Sequence, residues 1–288
     1  MNWKDDAREF FSHRAKVVGE SPALKDLCYV SGRDPRVWAD QARYDDMIES
    51  VVHCMGANDT SRVLEVGCAA GFVACGVAPK VGQYVGVDVA EGAIECARSL
   101  KLSNATFEVG DGGKLPFEAD EFDGIYCYDV LTNFPSFDSV TGLVSDMFRV
   151  VRPGGKVLLG SIPDVAKEQE FLEAVARMQA ELAVPALPAA VAAAAPVVAT
   201  ESKSGFWAKC RAMLGMREAA VTQPAAIPAA APAEQLPVDQ GGITCFYFAK
   251  QDFENFARHL GAACNIEGVH ARHPFYGYRY NVILTKPV

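Results

Sequence analysis

The ten residues Val63-Leu-Glu-Val-Gly-Cys-Ala-Ala-Gly-Phe72 constrain this chain more than any other segment. A buried-type apolar strand runs straight into a turn of small residues, and a helical stretch, Phe72–Val77, follows. Gly67 and Gly71 suit a turn whose main chain a ligand must approach closely, where a side chain would collide. Taken alone, the G-x-A-x-G spacing also fits a dinucleotide-binding turn or a purely structural strand–turn–helix unit.

The surrounding sequence repeats the alternation. β-Branched runs at Arg62–Val66, Tyr84–Asp88, Ala105–Val109, Phe122–Tyr128 and Lys156–Ser161 are separated by helical stretches, the pattern of a parallel sheet with crossover helices. Residues 1–60 carry apolar positions at helical spacing from Val37 and Trp38 through Ile48, Val51 and Val52, which predicts a helical cap ahead of a core over 61–182. A helix is expected at Asp164–Leu182.

Residues 183–240 are dominated by Ala and Pro. Alanine favours helix while repeated proline forbids long ones, so this stretch reads as a flexible insertion. Within it lies a short basic amphipathic piece, 203–217, carrying Phe206 and Trp207 among Lys and Arg. It reads as a helix packed on the domain or, more sharply, as a peripheral contact with a membrane surface or partner. Regular structure resumes over 241–288, with a helix at Asp252–Leu260 and strands near Cys264–His270 and Tyr278–Leu284.

Half of the 288 residues are apolar and 22% are charged, which suits a soluble globular protein. The formal net charge of −9 argues against nucleic acid as a partner, because phosphate binding needs a cationic surface. Residues 1–11 interleave charges with apolar residues and form no signal-peptide core. The most apolar stretch, 183–199, is broken by Pro185, Pro188 and Pro196, so a cytoplasmic location is expected. The cysteines are scattered without a C-x-x-C pair, which indicates neither a zinc knuckle nor a redox motif.

Three features add to the glycine turn. Asp88, followed by Val89, ends the second strand where an acid can accept both hydroxyls of a ribose; its plain alternative is a helix cap. Val109-Gly-Asp-Gly112 ends the third strand with an acid between glycines, which can face an amino group or simply serve a turn. Arg149-Val-Val-Arg-Pro-Gly-Gly-Lys156 leads through a Pro-Gly-Gly turn into the fifth strand.

In order and spacing these segments resemble the class I S-adenosylmethionine (SAM)-dependent methyltransferases over residues 60–162, with a weaker tail at 243–287. The family's acidic-glycine loop matches Glu65-Val-Gly67-Cys-Ala69-Ala-Gly71, with Ala69 where glycine is usual. The resemblance implies an α/β, Rossmann-like fold: a seven-stranded, mostly parallel sheet with an antiparallel last strand and helices on both faces. It also implies that Glu65 orders the methionine end of SAM. Gly67, Ala69 and Gly71 would make room for it, Asp88 with Val89 would hold the ribose, and Asp111 with Gly112 would face the adenine. Tyr128, on strand four, faces the cofactor or packs beneath it.

The acceptor is less legible. A hydroxyl nucleophile needs a general base within hydrogen-bond reach, whereas an amine or carbon nucleophile needs little more than alignment. Tyr128, Asp129 and Asn133 after strand four, and His270, His273, Tyr276 and Tyr278 near the last strands, are the candidates. The His270/His273 pair lacks the carboxylates of a metal site. Ser161–Asp164, the Phe246–Phe256 segment and Tyr278–Ile283 resemble methyltransferases encoded with bacterial surface-polysaccharide genes, which implies a small-molecule, sugar or glycan acceptor. A non-catalytic methyltransferase-like module and a nicotinamide-dependent Rossmann oxidoreductase are the alternatives. The second leaves Asp111-Gly112 and the Pro-Gly-Gly turn unexplained.

Overall fold

The computed structural model describes residues 3–19, 21–182 and 246–288. The chain divides into two units, residues 1–168 with 236–288, and residues 169–235. Of the second unit only residues 169–182 are described. The whole Ala/Pro-rich stretch, 183–240, with the 203–217 piece inside it, lies outside the described residues.

Four helices precede the sheet: α1 (Trp3–Ala15), α2 (Leu24–Val30), α3 (Pro35–Trp38) and α4 (Gln41–Met55). Their ends follow from local chemistry. Asp34 and Asp40 accept backbone N–H bonds from Arg36 and Arg43 at the starts of α3 and α4. Gly56, at φ +66°, closes α4 in the left-handed conformation that glycine adopts without strain.

The strands are β1 (Arg62–Val66), β2 (Gln83–Asp88), β3 (Ala105–Val109), β4 (Phe122–Tyr128), β5 (Val151–Pro163), β6 (Ala263–Gly268) and β7 (Arg279–Thr285). Helices α5 (Ala74–Val77), α6 (Glu91–Ser99) and α7 (Phe137–Val150) connect the parallel strands, α8 (Glu168–Leu182) follows β5, and α9 (Lys250–Leu260) precedes β6. The sheet order is β3-β2-β1-β4-β5-β7-β6. β7 lies antiparallel between β5 and β6, and the strands from β3 across to β5 are parallel. The chain reverses its direction of winding between β1 and β4, which opens a crevice at the carboxyl ends of those strands.

Leu64, Ile125, Val157, Leu159 and Val282 are fully buried and pack with Val140, Val144 and Met147 of α7 and Phe253 and Ala257 of α9. Each such aliphatic side chain contributes roughly 1.5–3 kcal/mol by leaving water. Helix α4 covers the opposite face, where Gly76 and Gly124 admit Ile48 and Met55.

Of the element boundaries that differ from the sequence expectation, three have a plain local cause. β5 begins at Val151, because Gly154 N bonds Lys286 O (2.9 Å) and Lys286 N bonds Gly155 O (3.0 Å), so the Pro-Gly-Gly segment is paired with Lys286, with Gly154 at φ +77°. The helix after the glycine turn is only Ala74–Val77 before a 3-10 turn containing Pro79, which lacks the amide to continue it. Asp164 caps a 3-10 turn through Ala166 N at 3.0 Å, so α8 starts at Glu168. Among the described residues, no helix is long and apolar enough to cross a membrane.

Candidate cofactor site

The turn after β1 is held from below by β2. Gly67 N and Cys68 N both donate to Val87 O, at 2.8 and 3.1 Å. Gly67 and Gly71 both have φ +85°, and Ala69 has φ +44°, a left-handed backbone that costs a non-glycine residue roughly 1–2 kcal/mol. The Ala69 amide gains a 2.8 Å hydrogen bond to Asp88 Oδ2 in that conformation. A Cβ on Gly67 would lie 2.5 Å from Val130 Cγ2, and one on Gly71 would lie 2.8 Å from Leu100 Cδ1. Tyr44 of α4 steadies the far side of the turn by donating from its hydroxyl to Phe72 O at 2.9 Å.

Asp88 is buried, and its other oxygen accepts from Ala90 N at 2.9 Å, in the turn just ahead of α6. Burial raises its pKa, against the opposing pull of the Ala90, Ala69 and Val89 amides. Glu65 is buried as well. Burial pushes its carboxyl up to about 7, opposed by hydrogen bonds from the hydroxyls of Tyr84 and Tyr126 and by the charge of Arg33. The two tyrosine oxygens lie 3.1 Å apart. Asp111 accepts from Lys4 Nζ at 2.5 Å and from Gly113 N at 3.0 Å. Its partial burial favours the neutral form, but Lys4 and the Gly113 amide outweigh that and hold the carboxyl below the usual range.

These groups surround one cavity of about 290 Å³ at the carboxyl ends of β1, β2, β3 and β4. Glu65, Gly67, Ala69, Asp88, Val89, Asp111, Gly112 and Tyr128 all line it. Gly71 does not; its missing side chain leaves room for Leu100 at the end of α6. Trp3, Lys4, Ala7 and Phe11 of α1 form another wall, with the Trp3 ring centroid 4.4 Å from that of Phe134. The sequence reading missed this wall. Its only signal was a tryptophan and two phenylalanines in an otherwise charged helix.

Among the acid–base candidates, Tyr128, Asp129 and Asn133 line the cavity, whereas His270, His273, Tyr276 and Tyr278 do not. The Tyr128 ring fills the space above Gly160, where a Cβ would come within 2.2 Å, and its buried hydroxyl has no hydrogen-bond partner. Asp129, just past β4, and Ser161, near the end of β5, lie side by side, both with positive φ (64° and 59°). Asp129 is ion-paired with Arg279 and with Arg33, whose Nε lies 3.3 Å from Oδ2. Burial raises its pKa, but the two guanidinium charges prevail and hold it below the usual range. His273 accepts from Phe275 N on Nδ1 at 3.0 Å, so in the neutral ring Nε2 carries the proton and donates to Ser161 Oγ at 3.2 Å. Burial and the Arg279 charge lower its pKa to about 2. With its Nε2 donating, His273 does not serve Ser161 as a base.

Residues 64–159 match the family model for the methyltransferase domain. The chain is 32% identical over 132 residues to the methyltransferase GfsG of Streptomyces halstedii, covering 42% of this chain and 46% of that protein. It is 26% identical over 119 residues to the ubiquinone biosynthesis O-methyltransferase of Alkalilimnicola ehrlichii, covering 40% and 47%. The chain thus spans about half the length of these curated relatives or less. Among solved structures, magnesium protoporphyrin IX methyltransferase from Synechocystis PCC 6803 with bound SAM superposes with a TM-score of 0.53 at 13% identity, over 99% of this chain and 98% of the other. The PH0226 protein of Pyrococcus horikoshii gives a TM-score of 0.52 at 18% identity, over 85% and 90%. At these identities the two structures establish the shared fold. The match over residues 64–159 is to a methyltransferase domain, and the chain shares the fold of these methyltransferase structures.

Proposed function

We propose that this protein transfers a methyl group from SAM to a small-molecule acceptor, with SAM lying across the carboxyl ends of β1, β2 and β3. The observation that carries this reading is the closed arrangement of the Gly67–Gly71 turn, Asp88 and Asp111 around a single cavity. The donor set suits the ligand. Asp88 spends one lone pair per oxygen on Ala69 and Ala90, which leaves acceptor capacity for a ribose diol. Asp111 and Gly112 offer a carboxylate and a close backbone approach for the adenine edge, with Val89 beside them. Glu65 and the turn border the methionine end, and Tyr128 closes the base of the cavity.

When bound, SAM supplies a methyl group already activated by its sulfonium. The protein's contribution is then to align the acceptor and exclude water, and alignment supplies most of such a rate. The apolar rings of Trp3, Phe11 and Phe134 wall off solvent. A sugar or glycan intermediate is the acceptor suggested by the segments at Ser161–Asp164 and Tyr278–Ile283. Against it stands the pairing of Asp129, which leaves that carboxylate a poor base for a hydroxyl. The free thiols of the described cysteines suit a reducing, cytoplasmic compartment.

Calorimetric titration with SAM, S-adenosylhomocysteine and NAD tests the reading. Saturable binding of the first two without NAD is the expected result. A folded protein that binds neither adenosyl compound is a non-catalytic module, and one that binds only NAD is an oxidoreductase.

A further inference from the structure

Helix α1 lies outside residues 64–159, which match the methyltransferase domain, yet it builds one wall of the cavity. Trp3, Lys4, Ala7 and Phe11 recur at helical spacing and present a single stripe to that space. The two ends of the helix are held differently. At the carboxyl end Arg14 is buried, donates from Nε to Tyr29 O at 2.8 Å and lays its guanidinium 3.8 Å from the Tyr29 ring centroid. Ser12 packs on α6 so closely that a Cβ on Gly92 would come within 3.2 Å of its main chain. At the amino end Trp3 leans on Phe134, and Lys4 pairs with Asp111 at 2.5 Å through side chains 33% and 51% exposed.

Of the thirteen residues of α1 only Ala7, Arg14 and Ala15 are buried, two of them at the anchored end. An element that buries so little apolar surface opens at a small cost in free energy. A cavity of about 290 Å³ stands at the lower limit for one ligand of drug size, roughly 300–1,000 Å³. Cofactor and acceptor together therefore require a wall to give way. The walls from β1, β2 and β4 belong to the central sheet, whereas α1 is the lightly packed one.

We propose that α1 is a strap that pivots on its Arg14 end to admit and release the ligands of this cavity, with the Lys4–Asp111 pair as its latch. The identity of the first ligand, the adenosyl cofactor, rests on the methyltransferase reading above. The latch is the same in the empty and the loaded protein. Asp111 Oδ2 accepts from Lys4 and Oδ1 from Gly113 N, and each carboxylate oxygen keeps a second lone pair for an adenine amino group. Ligand passes only through the open form, and the latch favours the closed form equally in both states. It therefore slows entry and exit by the same factor and leaves the equilibrium affinity level.

The test follows binding of S-adenosylhomocysteine to the full chain by surface plasmon resonance, in the unaltered protein and in Lys4→Met, Lys4→Arg and Lys4→Asp. This ligand has no net charge, so loss of the lysine charge does not change its long-range attraction to the site. Lys4→Met is expected to quicken association and dissociation together, by about two- to five-fold, the worth of an exposed ion pair, with Kd unchanged. Lys4→Asp sets like charges together and quickens both further, while Lys4→Arg keeps the unaltered rates. Salt at about 1 M, which screens exposed charges within about 3 Å, quickens both rates in the unaltered protein and leaves those of Lys4→Met as they are. A change in dissociation alone, with Kd weakened to match, makes Lys4 a ligand contact and overturns the proposal. A change in association alone, or in neither rate, overturns it as well. Failure of the unaltered protein to bind S-adenosylhomocysteine is a different result, which removes the methyltransferase reading itself.

Discussion

The amide of Ala69 donates a 2.8 Å hydrogen bond to Asp88 Oδ2, so the turn after β1 and the acidic end of β2 form one unit. The carboxylate secures a left-handed alanine in one direction and the Ala90 amide, just ahead of α6, in the other. Ligand-binding and structural roles therefore coincide on one side chain.

Asp88→Ala is expected to lower SAM affinity by about 1–3 kcal/mol, the scale of a charged hydrogen bond. It also strands the Ala69 amide, so thermal stability falls as well. Asp88→Asn keeps one acceptor oxygen and retains part of both. Calorimetry and thermal melts on the same samples separate the two effects. Unchanged affinity for Asp88→Ala places the ribose elsewhere.

Ala69→Gly relieves the backbone at φ +44°. Glycine adopts that region freely, so stability is expected to rise by about 1 kcal/mol, a shift of roughly 2 °C in a chain of this size. Because the methyl group faces the cavity, SAM affinity holds or improves. A fall in melting temperature contradicts the strain assigned to this residue.

Glu65 gives the site a pH dependence. Its folded pKa, about 7, stands above the ordinary 4.5. Between those values the unfolded chain has already released the proton that the folded protein retains, so stability falls as pH rises through this window and levels off above it. Glu65→Gln cannot ionise and is expected to flatten that fall. Melting temperatures measured across the window decide it, and an identical slope in both proteins rules it out.

Gly160→Ala puts a methyl group 2.2 Å from the Tyr128 ring, against a fully buried sheet. Overpacking of this kind costs about 1–3 kcal/mol. The ring must turn toward the cavity it lines, so weakened SAM binding is expected to accompany the lower melting temperature. A second change, Tyr128→Phe with Gly160 intact, preserves the ring and leaves the melting temperature almost level. A large loss there gives the hydroxyl a structural partner.

Much of this protein is decided by local chemistry. An apolar strand followed by Gly67 and Gly71 can only turn sharply, and Asp88 and Asp111 each end a strand that their immediate neighbours already specify. Side-chain periodicity and turn residues act over a few positions, so the strands, the glycine turn and the two acids were legible from the sequence. The boundaries that differed, at Val151 and around Pro79, depend on a terminal segment paired from far away and on where a short helix fails.

The rest was chosen by tertiary structure. Lys4 meets Asp111 across 107 residues, and Asp129 meets Arg279 across 150. In the sequence Asp129 reads as a candidate base, and nothing there singles out Arg33. Only the packing of the segment after α2, β4 and β7 around a common point makes the first an ion-paired group and the second part of a cavity wall. The charge state and the role of a side chain are set by its neighbours in space and by its removal from water, and neither is written in the residues adjoining it along the chain.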